Sequence, residues 1–290
     1  INDIAREAGV SKATVSRVLN NPEKVAKKTR EKVLKVIQEK DYRPNPMARS
    51  LTTRKTGVIG VVVSDITNPF YAVMVRSIEE VCRSYQYHIF LCNTDGREEE
   101  EELYVRSLIE KKVDGIILGA TCMNDREIQN LAKAQTPMVF VSRLPENREQ
   151  YDYVIVDSVL GGYLATKYLL SLGHTKIAYL GGHWPTSSNL ERLEGYKRAL
   201  EEAGIEVRDE YIYCGEFRME NGYREGIKIL RAGKYRPTAV FSANDAMAIG
   251  LLEACNEEGV RVPEELSIIG FDDIPLSASR LIQLTTVSQS

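Results

Sequence analysis

From residue 57 onward the chain alternates two hydrophobic patterns. Short apolar runs recur at Val58–Val63, His88–Cys92, Gly115–Leu118, Met138–Val141, Val154–Val156, Ile177–Leu180, Ala239–Phe241 and Leu266–Ile269. Amphipathic stretches intervene near residues 71–85, 98–111, 125–135, 160–172, 190–203, 221–233 and 245–258. The short runs suit buried strands, and the longer periodic stretches suit helices. Strand and helix in repeated succession imply parallel sheets covered on both faces. At ~150 residues per domain, the 290 residues make about two domains. Two such sheets fit residues 57–290, and a chain of this size buries a full core without staples.

Composition removes several classes. Apolar residues are 43% and charged residues 27%, ordinary usage that excludes collagen-like, disordered and disulfide-scaffold chains. No apolar run approaches the ~20 residues that span a bilayer, and the polar start does not read as a signal peptide. The sequence opens without Met, so the natural start is expected to lie upstream. Cys82, Cys92, Cys122, Cys214 and Cys255 are scattered with no C-x-x-C pair, which points to neither zinc nor a disulfide framework. A reduced, cytoplasmic setting is expected, with no membrane partner.

The net charge of −3 hides an asymmetry. Residues 1–56 hold 14 Lys and Arg against 6 Asp and Glu, a net +8, and residues 57–290 carry a net −11. A basic head on an acidic body suits a segment that binds a polyanion. A merely solvated basic surface would explain the charge alone, but the head has more pattern than charge. Ile4, Ala5 and Ala8 share one helical face, Gly9 supplies a turn that tolerates positive φ, and Ser11 is suited to cap a second helix. Within Lys12–Asn20, Val15, Val18 and Leu19 form the inward stripe, which leaves Lys12, Ala13, Ser16, Arg17 and Asn20 largely on the other face. Asn20-Asn21-Pro22 ends that helix, and a third follows from about Lys27 to Lys40 with Val33, Val36 and Ile37 inward. Helix, glycine turn, helix is helix-turn-helix geometry, with the second helix fit for a major groove.

Four segments, in order, closely resemble the lactose-repressor (LacI/GalR) family of bacterial transcriptional regulators. They are Ile4-Ala5-Arg6-Glu7-Ala8-Gly9-Val10-Ser11, Thr14-Val15-Ser16-Arg17-Val18-Leu19-Asn20, Thr29-Arg30-Glu31-Lys32-Val33 and Tyr42-Arg43-Pro44-Asn45. The resemblance covers some fifty residues here and continues through the body, which is similar to periplasmic sugar-binding proteins. It implies an N-terminal all-α helix-turn-helix head on an α/β periplasmic-binding-protein-like body of two parallel-sheet lobes. The expected divisions are a DNA-binding domain at 1–44, a hinge helix and linker at 45–56, an N-terminal lobe at 57–158 and a C-terminal lobe at 159–290. A crossover strand is expected near 284–289, and family members run several tens of residues past this end, so the chain is expected to lack its C-terminal portion.

The resemblance also implies roles in the head. Lys12, Ala13 and Arg17 match base-reading positions; an arginine can bridge guanine O6 and N7, and Ala13 offers a methyl or leaves space. Ser11, Thr14, Ser16, Asn20 and Thr29 match phosphate contacts, which position without specifying, although Ser11 and Thr14 could be caps alone. Ala26 stands where the family usually has a capping Ser. Downstream, Pro44 and Pro46 disfavour helix just before them, and the short segment 46–51 is too brief to be helical alone in water. By resemblance it orders against its twin in a second subunit within the minor groove, with Asn45 and Ala48 at the contact and Leu51 as the apolar wedge. The plain alternative is a linker whose Leu51 packs on the body.

Ligands of open parallel sheets lie beyond the carboxyl ends of the strands. There the sequence places aromatics, arginines, amides and a carboxylate, the chemistry that hydroxyl-rich ligands need. The positions matching the family's sugar site are Asn68, Phe70, Tyr71, Arg143, Arg192, Phe217, Asn244, Asp272 and Gln289. Taken singly, Phe70 and Phe217 would read as core and Asp272 as a loop cap; it is their joint position at strand ends that favours a ligand cleft. Ser142 departs from the Asp common before the Arg, and Gln283 stands where Pro is usual. Glu98–Glu102 reads as the dipole-favoured first turn of a helix, and Gly173-His174 as a helix end. No G-x-G-x-x-G, P-loop or G-x-S-x-G occurs, and the three histidines do not sit at ligand spacing, so no cofactor, metal or enzymatic activity is expected.

The sequence therefore points to a homodimeric regulator, most simply a repressor, that binds near-palindromic double-stranded operator DNA and responds to a small sugar-like effector. One rival is a global carbon regulator of the same family whose corepressor is a phosphorylated carrier protein. A more distant one is a solute-binding protein with no DNA role.

Overall fold

The computed structural model describes residues 1–42, 55–119, 128, 130, 131, 135–144, 148–182 and 186–289. Residues Ile1–Thr56 form one compact unit and Gly57–Ser290 another. The hinge positions Asn45, Ala48 and Leu51, and most of the helix expected at 125–135, lie outside the described residues.

In the head, α1 (Asn2–Glu7) ends at Ala8, and Gly9 at φ +60° turns the chain, a conformation that costs glycine no β-carbon clash. α2 (Lys12–Asn20) is capped by Ser11, whose Oγ accepts from the Thr14 N–H at 3.1 Å. α3 runs Lys27–Glu39. The stripes read from the sequence meet: Ile4, Ala5, Ala8, Val15, Val18, Val33 and Val36 are buried together, with Val10, Leu19 and Ile37 packed against them. Each fully buried valine contributes roughly 1.5–3 kcal/mol, which is what holds three short helices that would not persist alone.

The larger unit contains two five-stranded sheets, parallel throughout. The first has the order β2-β1-β3-β4-β5, from β1 (Val58–Val63), β2 (His88–Asn93), β3 (Gly115–Leu118), β4 (Met138–Val141) and β5 (Asp152–Val154). The second has the order β10-β9-β8-β6-β7, from β6 (Ile177–Gly181), β7 (Ile212–Cys214), β8 (Ala239–Ser242), β9 (Ser267–Asp272) and β10 (Thr285–Ser288). Between strands run α4 (Pro69–Ser84), α5 (Glu98–Glu110), α6 (Ser158–Ser171), α7 (Ser187–Glu202), α8 (Met219–Leu230) and α9 (Asp245–Glu257).

Strand periodicity decides which helices cover which face. Ile177, Tyr179, Ala239, Phe241, Ile269 and Phe271 pack on one side of the second sheet against Ala165 and Leu169 of α6 and Leu193, Tyr196 and Leu200 of α7. The alternate residues Ala178, Leu180, Val240 and Ile268 pack on the other side against α8 and α9. In the first sheet Val61 and Val63 face α4, and Val62 faces α5. Contact between α6 and α7 is unusually close: a β-carbon on Gly162 would fall 2.3 Å from the Arg192 carbonyl oxygen, and one on Gly195 2.1 Å from that of Val159. Only glycine permits that crossing, which fixes α7, and with it Arg192, against the sheet.

Three expectations change in detail. The fifth run forms its strand at Asp152–Val154 rather than Val154–Val156, because pairing with Val139–Val141 sets the register of an edge whose three residues are exposed. β7 carries too short an apolar signal to be read as a strand, and forms by pairing with Tyr179–Gly181. The edge strand β2 leaves Phe90 and Leu91 exposed among the described residues, so coverage of both faces is incomplete there.

Ala26 occupies the N-cap of α3 with no side-chain hydrogen bond. Ala26→Ser is expected to stabilise the head by about 1 kcal/mol. Slower hydrogen exchange of the first-turn α3 amides would register the gain, and unchanged protection would show that the cap geometry is wrong.

Candidate functional site

Two surfaces carry the residues singled out by sequence, one on each unit. On the head, Lys12, Ala13 and Arg17 are exposed along α2, as is Ser11 before it; Thr14, Ser16 and Thr29 are half-buried. Asn20 is the last residue of α2. Ser11 serves as the cap and also shares a 2.9 Å hydroxyl–hydroxyl hydrogen bond with Thr14. Among the described residues no carboxylate pairs with Lys12 or Arg17, whereas Arg6 pairs with Asp3 and Lys40 with Glu7, each at 3.0 Å. The exposed ridge of α2 is thus cationic and uncommitted, as a helix that enters a groove of DNA must be.

On the body, a cavity of about 310 Å³ opens between the carboxyl ends of the two sheets. Its walls are Asn68, Phe70 and Tyr71 after β1, Ser142 and Arg143 after β4, Ser188 and Arg192 of α7, Phe217 after β7, Asn244 after β8 and Asp272 at the end of β9. Eight of the nine positions expected there line it. Gln289 is not among the lining residues; its Nε2 donates to Asp272 Oδ1 at 2.5 Å. Two lining serines were not expected as site residues. Ser188 had a signal, since it lies four residues before Arg192 and so on the same helical face.

Most polar groups in the wall already have structural partners. Asn68 caps α4, its Oδ1 accepting from the Phe70 N–H at 3.1 Å, and Asn244 caps α9, its Oδ1 accepting from the Met247 N–H at 2.9 Å. Both amides point Nδ2 at one acceptor, the Phe217 carbonyl oxygen, at 3.5 and 3.3 Å. Phe70 and Tyr71 meet edge to face with centroids 5.3 Å apart, and the Tyr71 oxygen accepts from the Ser64 hydroxyl at 2.9 Å.

Arg192 is the centre of the wall. Its Nη1 donates to the Ala243 carbonyl oxygen at 2.5 Å and lies 3.9 Å from Asp272 Oδ1. Its guanidinium sits 3.7 Å from the centre of the Phe271 ring. Its Nε, fully buried, has no partner. Burial lowers the arginine's pKa, with Asp272 opposing. Burial likewise pushes the Asp272 carboxyl up to about 7, against the pull of Arg192 and with the charge of Asp245 adding to the rise. Asp245 itself accepts from the Ile274 N–H and from the hydroxyls of Ser277 and Thr286. Backbone strain gathers at the same place: Ser142 has φ +70° and Asp272 φ +128°, conformations that cost of order 1–3 kcal/mol and persist where surroundings hold them.

Among the described residues, polar contacts cross from one sheet's side of the cavity to the other, including an Arg218 Nη2–Asp95 Oδ1 pair at 3.9 Å. The Arg218 Nε lies 3.0 Å from Asp65 Oδ2, the Leu144 N–H donates to Ser187 Oγ at 3.2 Å, and Asn68 reaches the Phe217 carbonyl. Asp65 is held in place by the Thr67 N–H and hydroxyl, at 2.9 and 2.6 Å. His174, by contrast, belongs to the framework: its ring nitrogens bridge Thr238 and Ser267 at 3.0 Å each. The glutamate run opens α5 as expected, with Glu98, Glu99, Glu100 and Glu101 in its first turn. No helix among the described residues is long and apolar enough to cross a membrane, and no metal-ligand cluster occurs among them.

A helix-turn-helix head with a free cationic ridge, joined in sequence to a two-sheet body with a polar and aromatic cleft, defines a ligand-responsive DNA-binding regulator. Residues 1–45 match the family of bacterial regulatory proteins of the lacI type, and residues 56–289 match the periplasmic binding proteins and sugar binding domain of the LacI family. The HTH-type transcriptional repressor PurR of Vibrio vulnificus is 42% identical over 290 residues, covering 100% of this chain and 86% of that protein. The Lac repressor dimer bound to operator and the anti-inducer ONPF superposes with a TM-score of 0.85 at 29% identity, over 99% of this chain and 86% of that one. A transcriptional regulator CelR–cellobiose complex superposes with a TM-score of 0.72 at 30% identity, over 99% and 86%. The chain belongs to the LacI family of DNA-binding transcriptional regulators, and these relatives are regulators rather than enzymes.

The raised Asp272 carboxyl has a signed consequence. Its ordinary pKa is about 3.9, so the folded protein holds this proton where the unfolded chain releases it. The stability it contributes is full below about pH 4 and is lost as pH rises through about 7. A carboxyl carbon resonance that vanishes in Asp272→Asn is expected to titrate with a midpoint near 7; a midpoint near 4 would mean that the group is solvated.

Proposed function

We propose that the protein is a homodimeric, effector-controlled repressor whose two heads read the halves of a near-palindromic operator, with a small sugar-like molecule bound between the lobes. The observation that carries the effector reading is the joint placement of Phe70, Tyr71 and Phe217 with Arg143, Arg192, Asn244 and Asp272 around one cavity. Apolar faces cover the C–H face of a sugar ring, and fixed amide, guanidinium and carboxylate groups pair with its hydroxyls. The cellobiose complex of a relative at 30% identity supports that ligand class, and the operator-bound Lac repressor dimer supports the DNA target and the dimer.

In this reading residues 1–44 read the operator, 45–56 form the hinge, and the lobes divide near residue 158. Lys12, Ala13 and Arg17 meet base edges; Ser11, Thr14, Ser16, Asn20 and Thr29 hold phosphates; Asn45, Ala48 and Leu51 act at the minor groove. Asn68, Phe70, Tyr71, Arg143, Arg192, Phe217, Asn244, Asp272 and Gln289 make up the effector-binding set, with Gln289 also holding the carboxylate of Asp272. The mechanism is a population shift: a ligand that prefers one lobe arrangement biases the spacing of the paired hinges. A coupling of ~1–3 kcal/mol changes operator affinity several-fold to over a hundredfold. A DNA-binding regulator of this kind works in the cytoplasm.

Calorimetric titration of the intact protein with pentoses, hexoses and disaccharides tests the effector. A binding sugar whose heat disappears in Arg192→Ala while operator binding persists is the expected result. Silence across the panel with operator binding intact would reject the sugar and favour a protein corepressor. On the DNA side, Arg17→Ala is expected to weaken binding to an operator selected from random duplexes by about 1–3 kcal/mol, and to relax preference at one base position. Loss spread evenly over all sequences would make Arg17 a phosphate contact instead. Leu51→Ala is expected to reduce specific affinity with the head still folded; unchanged affinity would remove the wedge role.

A further inference from the structure

Outside the cavity wall, the loops after β1, β2 and β7 meet at one lip of the cleft and bring charged residues together. The first lobe supplies Asp65 and Asp95, and the second supplies Glu216 and Arg218. Asn93 ties the two acidic loops to each other. Its Oδ1 accepts from the Ile66 N–H at 2.7 Å, and its Nδ2 donates to Asp95 Oδ1 at 2.8 Å. The Thr67 N–H and hydroxyl hold Asp65 Oδ1, which leaves Oδ2 to face Arg218. The first lobe thus presents two carboxylates on a fixed frame. On the second lobe, Phe217 anchors the adjoining segment: its ring lies so close to Gly182 that a β-carbon there would fall 2.0 Å from it.

Arg218 is placed against local preference. It is the N-cap of α8 and makes no side-chain cap bond, at a helix end where a small acceptor side chain stabilises and the helix dipole opposes a cation. Its guanidinium instead reaches across the lip. Nε lies 3.0 Å from Asp65 Oδ2 and 3.7 Å from Glu216 Oε2, and Nη2 lies 3.9 Å from Asp95 Oδ1. Arg97 lies 4.0 Å from Asp95 and 3.4 Å from Glu100, so it offsets part of the Asp95 charge from within the first lobe. Arg218 is the cation that bridges the two sides. Without it, Asp65 and Asp95 on one side would oppose Glu216 on the other, and like charges this close repel.

We propose that Arg218 is a charge latch: it turns a mutually repelling lip into an attracting one, and so sets the ratio of closed to open lobes before any effector binds. The inference rests on the lobes parting and closing in the proposed regulator. It adds the residue that sets their resting balance and a second input, ionic strength. None of the four charged groups is among the lining residues of the cavity, and the Arg218 side chain is 41% exposed. Salt therefore reaches the latch without competing for the effector site.

The test needs neither effector nor DNA. The Leu144 N–H, which donates across the cleft to Ser187 Oγ, exchanges with deuterium when the lobes part, at a rate proportional to the open fraction. The Thr238 N–H, bonded within the second lobe to the Lys176 carbonyl, is the reference for folding and for direct effects of salt. In the intact protein, Arg218→Gln is expected to speed Leu144 exchange about two- to fivefold with Thr238 unchanged, and Arg218→Lys to speed it less. Asp65→Asn, which keeps Oδ1 for the Thr67 donors, is expected to act in the same direction from the first lobe. Adding Glu216→Gln to Arg218→Gln is expected to return exchange toward the wild-type rate, because it removes the repulsion. Salt is expected to speed exchange in the wild type and to slow it in Arg218→Gln, since it screens an attraction in one and a repulsion in the other. Unchanged Leu144 exchange in Arg218→Gln and Asp65→Asn overturns the latch. Faster exchange that neither Glu216→Gln nor salt relieves overturns the charge account and leaves Arg218 as a packing residue beside Phe217. Operator affinity is measured on the same variants. Exchange that follows the latch while affinity stays constant keeps the latch and rejects lobe closure as the signal to the heads.

Discussion

A guanidinium buried at the junction of two sheets is the constraint around which the cleft is arranged. Arg192 lies out of water, and idealised costs of burying such an ion are large unless it is paired and hydrogen-bonded. The chain compensates from three directions: the Ala243 carbonyl, the face of Phe271 and the carboxylate of Asp272. Each compensating group comes from the carboxyl end of a strand of the second sheet. The strained φ of Asp272 follows from that duty, since the carboxylate must turn back toward the arginine at the point where β9 ends. Gln289 then locks the carboxylate from beyond β10. Removing one partner of such a pair typically costs about 3–5 kcal/mol, so the cluster is as much a structural joint as a recognition surface.

Helix caps extend the same economy of parts. Asn68 and Asn244 each close a helix with Oδ1 and aim Nδ2 at the Phe217 carbonyl. One amide comes from the first sheet's side and the other from the second, so a single backbone oxygen registers both. The aromatic residue that carries this oxygen also lines the cavity, which makes its placement sensitive to how the two sides sit.

Much of this was legible in the residues, for definite reasons. The unbroken apolar runs Ile177–Leu180 and Ala239–Phe241 mark strands buried on both faces, and the pleat sorts their residues into the two faces observed. The head was legible because Val15, Val18, Val33 and Val36 fall at helical spacing and meet in one core. The cavity wall followed from strand ends, where parallel sheets leave their ligand crevice. What escaped obeys a different logic. β7 and β5 are short edge strands set by pairing with a neighbour, which no local pattern encodes. Ser188 has no chemistry of its own that stands out; it lines the cavity because it sits one turn before Arg192 on the same face of α7. Gln289 reaches the cluster through its hydrogen bond to Asp272 rather than as a lining residue, an arrangement that strand-end position alone does not encode.

The bonds that span the cavity are individually modest. The Arg218–Asp65 pair is partly exposed on the arginine side, and such pairs contribute about 0–1 kcal/mol. The Leu144 to Ser187 hydrogen bond adds a net ~1 kcal/mol, and the long Asn68 amide contact no more than that. Their sum is comparable to the ~1–3 kcal/mol of a typical allosteric coupling. Two sides held by so little can be redistributed by a compact ligand, whereas the rigid elements on each side cannot. Gly162 and Gly195 lock α7, which carries Arg192, onto α6 by backbone contact. Weak bonds across the cleft and close packing on either side are together what the proposed population shift requires.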